Sequence, residues 1–225
     1  EKKTEQIDCL IERVQKKVEL LKEQRTSLIN QCVVKGLDPN AEMKDSDVEW
    51  IGNIPQHWEV KKLKYLSIVK RGSSPRPIDN PQYFHEEGEF SWVRISDVTS
   101  STKYLNNTKE KLSNLGSSLS TKIYPGDIFL SIAGSVGKPV IANIKCCIHD
   151  GFVWFQNLRV EKEFLYYMFL SKVCFQGLGK LGTQLNLNTD TVGNIYIPLP
   201  STSEQSMIIE ELESKLKTSD HLLHL

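Results

Sequence analysis

The feature that most constrains how this chain folds is a heptad pattern of apolar residues near its start. Within residues 3–35, apolar side chains recur at alternating steps of four and three residues. The seam comprises Ile7, Ile11, Val14, Val18, Leu21 and Leu28, with Arg25 in its one vacant place. This spacing is typical of a helix that packs lengthwise on another helix, and an ordinary long amphipathic core helix is the alternative. Gly36 predicts where the helix ends, because glycine favours the left-handed conformation common after helices.

A second amphipathic segment, residues 203–225, is the candidate partner. It carries Ile208, Leu212 and Leu216 at helical spacing, and Thr202 or Ser203 is the predicted cap. The predicted fold is mixed α/β, with one globular domain flanked by two long antiparallel helices that form a coiled-coil stalk. Within the domain, apolar spacing predicts a helix over 163–176, and the polar residues 99–122 predict loop with one short helix. Because neither outer helix end carries a capping residue, we expect both helices to be cut and the chain to be a piece of a longer one.

The composition is that of an ordinary globular protein. Of the 225 residues, 39% are hydrophobic and 25% are charged, which suits one domain with appendages. No apolar run approaches the roughly 18 residues that a membrane span needs. The five cysteines show no zinc-site or CxxC spacing, so we expect reduced thiols in a cytoplasmic protein without a metal site.

A net charge of zero conceals a basic middle. Residues 60–199 contain 17 Lys and Arg against 11 Asp and Glu, whereas the two ends together contain 11 and 17. The asymmetry predicts a polyanionic partner for the middle and a protein partner for the helices. A chance distribution of charge is the alternative.

Polar loops within this basic middle are the candidate DNA contacts. Residues 70–76, 134–138 and 180–188 combine cations for phosphates with amides and hydroxyls for base edges. Arg94 lies in a predicted strand over 90–95. Ordinary surface loops are the alternative reading. The candidate DNA-binding residues are Lys70, Arg71, Ser73, Ser74, Arg76, Arg94, Ser135, Lys138, Lys180, Thr183, Gln184, Asn186 and Asn188.

Two motifs suggest other chemistry but lack the residues it needs. Residues 134–138 resemble a phosphate-binding loop, but Ile132 and Pro139 replace its required glycine and hydroxyl residue. His149 and Asp150 lie near Cys147, yet no further residues complete a thiol active site. We therefore predict no catalytic residues and no cofactor.

Several stretches together resemble the specificity subunit of type I restriction–modification enzymes. Residues 21–29 with 34–40 resemble the end of that family's central conserved helix, and residues 43–60 resemble the entry into its second target-recognition domain. The segments 126–128, 134–137 and 194–205 resemble the body and exit of that domain. The resemblance covers nearly the whole chain, but the domain interior varies within the family, so base-contacting residues do not transfer.

The resemblance implies a chain with one recognition domain, similar to the C-terminal half of such a subunit. Its expected divisions are a spacer helix at 1–36, a linker at 37–58, a target-recognition domain at 59–200 and a distal helix at 201–225. The implied role is to read one half of a split duplex DNA site without catalysis. The implied partners are methyltransferase subunits and, through them, the restriction subunit. Because the seam of the first helix is longer than the closing helix, we also expect its uncovered part to take a methyltransferase subunit or a second copy in a homodimer. The alternatives are a recognition piece of a fused methyltransferase–nuclease and a helical scaffold without a DNA role.

Overall fold

The first helix, α1 (Lys2–Lys35), has the length that the heptad pattern predicts. The computed structural model describes residues 2–176, 178 and 187–223. Gly36 follows the helix with φ +75°, and its N–H donates to the Cys32 carbonyl at 3.2 Å. The prediction of a left-handed glycine at the helix end is therefore confirmed.

Short strands and helices form the rest of the domain. The other helices are α2 (Ile95–Ser100), α3 (Asn114–Ser118), α4 (Lys162–Leu170), α5 (Thr189–Gly193) and α6 (Thr202–Leu223), with 3-10 turns at Leu63–Tyr65, Pro81–Tyr83 and Val173–Phe175. The strands are β1 (Met43–Asp45), β2 (Asn53–Pro55), β3 (Glu59–Lys62), β4 (Ile68–Arg71), β5 (Phe90–Val93), β6 (Tyr104–Leu105), β7 (Glu110–Leu112), β8 (Thr121–Ile123), β9 (Ile128–Ser131), β10 (Pro139–Ala142), β11 (Cys146–Ile148), β12 (Phe152–Gln156) and β13 (Tyr196–Leu199).

Two main sheets organise these strands. One has the order β4-β12-β9-β10-β6 and the other the order β7-β5-β11-β8, with the separate pairs β1-β2 and β13-β3. Along β12, Val153 and Phe155 join the core formed with α1, α4 and α6, whereas Phe152 joins a second core with residues of the other sheet. The alternating side chains of one strand thus bury both faces of the sheet.

The predicted linker packs on the domain through its apolar residues. Ile51, Ile54 and Trp58 are buried, and β1 and β2 pair as a hairpin that the sequence pattern did not reveal. Each strand of this hairpin has only three residues, which is too short for a period-two pattern to stand out.

Three local predictions were wrong. The strand predicted over 90–95 ends at Val93, because the Asp97 carboxylate accepts the Arg94 N–H at 2.8 Å and starts α2. The helix predicted over 163–176 ends at Leu170, because Lys172 adopts the left-handed conformation with φ 61°. Residues 99–122 contain β6 and β7 besides the expected short helix; both strands lie at sheet edges, where polar residues are tolerated.

The two long helices meet, but the heptad seam is only partly covered. Ile208, Leu212 and Leu216 of α6 are buried in the core that contains the C-terminal end of α1, and Leu28 packs partly buried against that core. Val18 and Leu21 are half-buried. Ile7, Ile11 and Val14 are 56%, 49% and 60% exposed, respectively. None of the described helices is long and apolar enough to cross a lipid bilayer.

The start of α6 is capped by a residue other than the two predicted. Ser201 Oγ accepts the Glu204 N–H at 3.3 Å, and the Glu204 carboxylate accepts the Ser201 N–H at 3.1 Å. This reciprocal pair is a capping box. The prediction of Thr202 or Ser203 was therefore wrong by one or two residues, because Glu204 favours the serine three positions before it.

Candidate nucleic-acid interface

Three connecting segments meet at one edge of the five-stranded sheet. Strands β4 and β9 both run antiparallel to β12, which lies between them. The loops that follow β4 and β9 and the turn that precedes β12 must therefore share an edge. Hydrogen bonds tie them together, from Ile132 N to Gly151 O at 2.8 Å and from Ser73 N to Ile148 O at 3.1 Å. A fourth segment, 94–99, joins them, because Thr99 Oγ1 lies 2.7 Å from Ser135 Oγ. We call residues 71–77, 94–99, 132–138 and 149–151 the loop edge.

Two arginines of the first loop converge on Asp150. Arg71 Nε donates to the Asp150 main-chain carbonyl at 2.7 Å, and Arg76 Nη2 donates to the Asp150 carboxylate at 3.0 Å. The Arg76 side chain is 74% exposed, so its guanidinium still faces solvent. A guanidinium held this way retains donors for phosphate or for a guanine edge.

A third arginine lies at the same edge from the second sheet. Strand β5 pairs in parallel with β11, and Val93 lies opposite Ile148, so Arg94 lies beside the turn at 149–151. The Arg94 side chain is half exposed and pairs with the Glu110 carboxylate of β7. The hydrogen bond to Glu110 is the main cause that raises the pKa of Arg94.

Two pairs of hydroxyl groups accompany these cations at the loop edge. Ser73 Oγ and Thr121 Oγ1 are 2.9 Å apart, and Thr99 Oγ1 and Ser135 Oγ are 2.7 Å apart. Ser74 is half-buried in the first loop. The loop edge therefore brings Arg71, Arg76, Arg94, Ser73 and Ser135 together, from segments that are far apart in sequence.

Lys138 serves the fold in this structure. Its Nζ donates to the Thr99 and Ser101 carbonyls at 2.7 Å each, and so anchors the C-terminal end of α2. Burial lowers the pKa of Lys138. The segment 134–138 leads into strand β10 and not into a helix, so it lacks the helix N-terminus at which a phosphate-binding loop holds its ligand.

The remaining predicted DNA-binding residues do not lie at the loop edge or are outside the described part of the chain. Lys70 is exposed on β4 opposite Trp154. Asn188 caps α5, because its Oδ1 accepts the Asp190 and Thr191 N–H groups at 2.9 Å each. Lys180, Thr183, Gln184 and Asn186 lie outside the described residues. A role for these residues in DNA contact stays a prediction.

Sequence reasoning missed the residues that hold the arginines. Asp150 and Glu110 carry the opposite charge to the expected ligand contacts, and each lies far along the chain from its partner arginine. No local spacing reveals such pairs; only strand order does.

The thiol considered beside His149 is inaccessible to solvent. Cys147 is fully buried, and burial raises its pKa to about 12. Among the described residues, no group of three or more His, Cys, Asp or Glu side chains is arranged to hold a metal ion.

Known proteins resemble this chain over almost its entire length. Residues 55–222 match the family model described as "Type I restriction modification DNA specificity domain". The "Type I restriction enzyme MjaVIII specificity subunit" of Methanocaldococcus jannaschii is 28% identical over 97% of this chain and 52% of its own length. The "Putative type I restriction enzyme MjaX specificity subunit" of the same organism is 26% identical over 97% of this chain and 49% of its own length.

Solved structures show the same fold. The HsdS subunit from Thermoanaerobacter tengcongensis has a TM-score of 0.60 and 20% identity, over 97% of this chain and 50% of that chain. A chain solved in work on complex assembly and conformational transition of the type I R-M system has a TM-score of 0.64 and 22% identity, over 96% and 51%. This chain thus spans about half the length of the relatives that it matches.

Proposed function

Because its family model matches residues 55–222, this chain belongs to the type I restriction modification DNA specificity domain family, and we propose that its loop edge recognises one half of a split duplex DNA target. The observation that carries this proposal is the convergence of Arg71, Arg76 and Arg94 on one exposed edge. Arginine is the side chain best suited to both phosphates and guanine edges.

The chain is proposed to recognise DNA and to leave catalysis to other subunits. Cleavage and methyl transfer would be the work of the methyltransferase subunits and of the restriction subunit bound through them. A fused methyltransferase–nuclease and a scaffold without a DNA role are not favoured, because the relatives matched over 97% of this chain are named specificity subunits.

The test of DNA recognition uses the full chain together with the methyltransferase subunits proposed as its partners. Methylome sequencing with and without the gene identifies the target, and binding to that duplex is then measured at several salt concentrations. We expect affinity to fall steeply with salt, and replacement of Arg71 and Arg76 together by Ala to weaken binding at least about tenfold.

A matched control is available at the opposite edge of the sheet. Arg159 is exposed in the segment that follows β12, and its main-chain N–H to Leu66 O bond does not need the side chain. Arg159→Ala should leave binding unchanged. If the double variant binds its target as tightly as Arg159→Ala does, the loop edge is not the DNA-binding surface.

The helices are proposed to form an antiparallel stalk that assembles the complex. Ile7, Ile11 and Val14 are about half exposed, so covering each of them would add about half of the roughly 1.5–3 kcal/mol that full burial of such a side chain contributes. In the working protein this surface is proposed to be covered by a methyltransferase subunit or by a second copy. Two copies would present identical domains to a palindromic split site.

Substitutions at the exposed part of the seam test this assembly without unfolding the domain. Ile11→Asp with Val14→Asp should abolish association with the methyltransferase or between copies, as measured by light scattering and co-purification. Gln15→Asp with Gln24→Asp adds the same charge outside the seam and should leave association intact. Equal assembly by both double variants would contradict a role for the seam.

A further inference from the structure

The turn at 149–151 sets the positions of the arginines at the loop edge. Asp150 holds Arg71 through its main-chain carbonyl and Arg76 through its carboxylate. The carbonyl of the next residue, Gly151, accepts the Ile132 N–H of the second loop at 2.8 Å. A change in this turn would therefore move both loops at once.

The His149 imidazole holds the turn in shape. Its Nδ1 accepts the Gly151 N–H at 2.9 Å, so Nδ1 must carry a free lone pair and no proton. The ring lies 4.6 Å from the Phe152 ring and 5.8 Å from the Trp92 ring, measured between centroids. This packing fixes the imidazole against the body of the domain.

Two glycines approach His149 closely, one at its side chain and one at its main chain. A Cβ added to Gly151 would lie 2.5 Å from His149 Cε1, and one added to Gly72 would lie 2.2 Å from the His149 carbonyl oxygen. Both distances are far below van der Waals contact, so glycine is required at both positions. The turn and the first loop are thus packed directly on His149.

The charged groups around the His149 ring shift its pKa in opposite directions. Burial is the largest effect and lowers the pKa of His149; Asp150 raises it and Arg94 lowers it. Arg94 is itself paired with Glu110, and Arg76 with Asp150. The net lowering keeps the imidazole neutral at pH 7.

We propose that His149 is a positioning residue that holds Arg71 and Arg76 in their DNA-binding arrangement only while its imidazole is neutral. Protonation would remove the acceptor for the Gly151 N–H. It would also place a new N–H donor at Nδ1, which lies 3.7 Å from the Asp150 carboxylate. The donor faces Asp150 Oδ1, whereas Arg76 is bonded to Oδ2. Without the Gly151 bond the turn would rearrange around Asp150, and the carbonyl and carboxylate that hold Arg71 and Arg76 would move with it. This inference rests on the proposed function, because it concerns the same arginines.

Two variants separate the hydrogen bond from the packing. His149→Phe keeps an aromatic ring but has no acceptor, and should weaken DNA binding about tenfold at pH 7.5. His149→Asn restores an acceptor, because an asparagine oxygen readily accepts the N–H two residues ahead. It should recover most of the affinity that His149→Phe loses and should not respond to acid.

The pH dependence of DNA affinity tests whether protonation of His149 weakens binding. In the wild type, DNA affinity should be constant at neutral pH and fall once the pH drops below the lowered pKa of His149. The His149→Asn profile should lack this fall. Hydrogen-exchange protection of the 71–76 amides relative to their intrinsic exchange rates, measured without DNA, should decrease over the same pH range in the wild type and should be low at all pH values in His149→Phe.

A double-mutant comparison shows whether His149 acts through the arginines. In the Arg71→Ala, Arg76→Ala background, His149→Phe should cost no further affinity. If His149→Phe binds like the wild type, or if the wild-type and His149→Asn profiles coincide in acid, the inference is wrong. If the wild-type chain in its complex shows no sequence-specific binding, the proposed function fails, and the exchange measurement still decides whether His149 holds the loop.

Discussion

Ionic groups stabilise the fold at one place in the molecule and stay available to a ligand at another. The first place, which we call the joint, is where the linker residues His57 and Trp58 meet Ser201 and Glu204 at the start of α6; the second is the loop edge. At the joint, the Glu204 carboxylate accepts hydrogen bonds from His57, Trp58 and Ser201. At the loop edge, Arg76 pairs with Asp150 and keeps 74% of its side chain exposed. A carboxylate surrounded by donors fixes the geometry of the fold, whereas an exposed guanidinium is available to a ligand and adds little to stability.

The joint therefore resembles a core, although polar groups hold it together. Trp58 is 1% exposed and packs against the main core, while its indole N–H donates to Glu204 at 3.1 Å. The buried Gln205 adds bonds to the Glu161 N–H at 2.8 Å and to the Pro200 carbonyl at 3.0 Å. Four segments are thus joined at one point, and we expect substitutions here to affect stability more than those at the loop edge.

The largest effect on stability is expected for Trp58→Ala. Loss of a fully buried tryptophan should lower the free energy of unfolding by about 3–5 kcal/mol, because a cavity remains and Glu204 loses a donor. Urea denaturation of the full chain measures this change. Trp58→Phe retains most of the ring volume and should cost clearly less. Equal costs for the two variants would show that the indole N–H, and not packing, governs the joint.

An intermediate effect is expected for Glu204→Gln. Burial alone would raise the pKa of Glu204, but hydrogen bonds from His57, Trp58 and Ser201 outweigh burial and lower it from 4.5 to about 2. The folded state thus favours the carboxylate. Its contribution is complete above pH 4.5 and is lost as the pH falls towards 2.

Glutamine keeps the shape of the capping box but removes the charge. We expect Glu204→Gln to lower the free energy of unfolding by roughly 1 kcal/mol at pH 7. The variant and the wild type should converge in stability on acidification, because the wild type loses the contribution that the variant already lacks. A constant difference between them from pH 7 to pH 2.5 would exclude this role for the carboxylate.

Structural features that depend on local residue spacing could be predicted from the sequence, whereas those that depend on strand order could not. Gly36, the α1 heptads and the buried α6 residues Ile208, Leu212 and Leu216 follow from local spacing, since helix periodicity is a local property. The polar stretch 99–122 hid two edge strands, because edge strands need few apolar residues. The pairing of Arg76 with Asp150 spans 74 residues and follows only from strand order in the sheet.

For the same reason, the candidate site was predicted in its residue types but not in its arrangement. The basic segments at 70–76 and 134–138 were identified, and Arg71, Arg76 and Arg94 do meet at the loop edge. Lys138 belongs to the same segments, yet two main-chain carbonyls hold its ammonium group. Sequence alone does not distinguish a lysine that anchors a helix end from one that faces a ligand.

The smallest effect on stability is expected for Arg76→Ala. An ion pair between two exposed side chains contributes little, so the free energy of unfolding should change by less than about 0.5 kcal/mol. Affinity for the target duplex should nevertheless fall several-fold, because one cation is lost from the proposed DNA-binding surface. Urea denaturation and duplex binding, measured on the same preparation, give both quantities. The opposite result, a large loss of stability with unchanged affinity, would place Arg76 among the structural groups and make the loop edge resemble the joint.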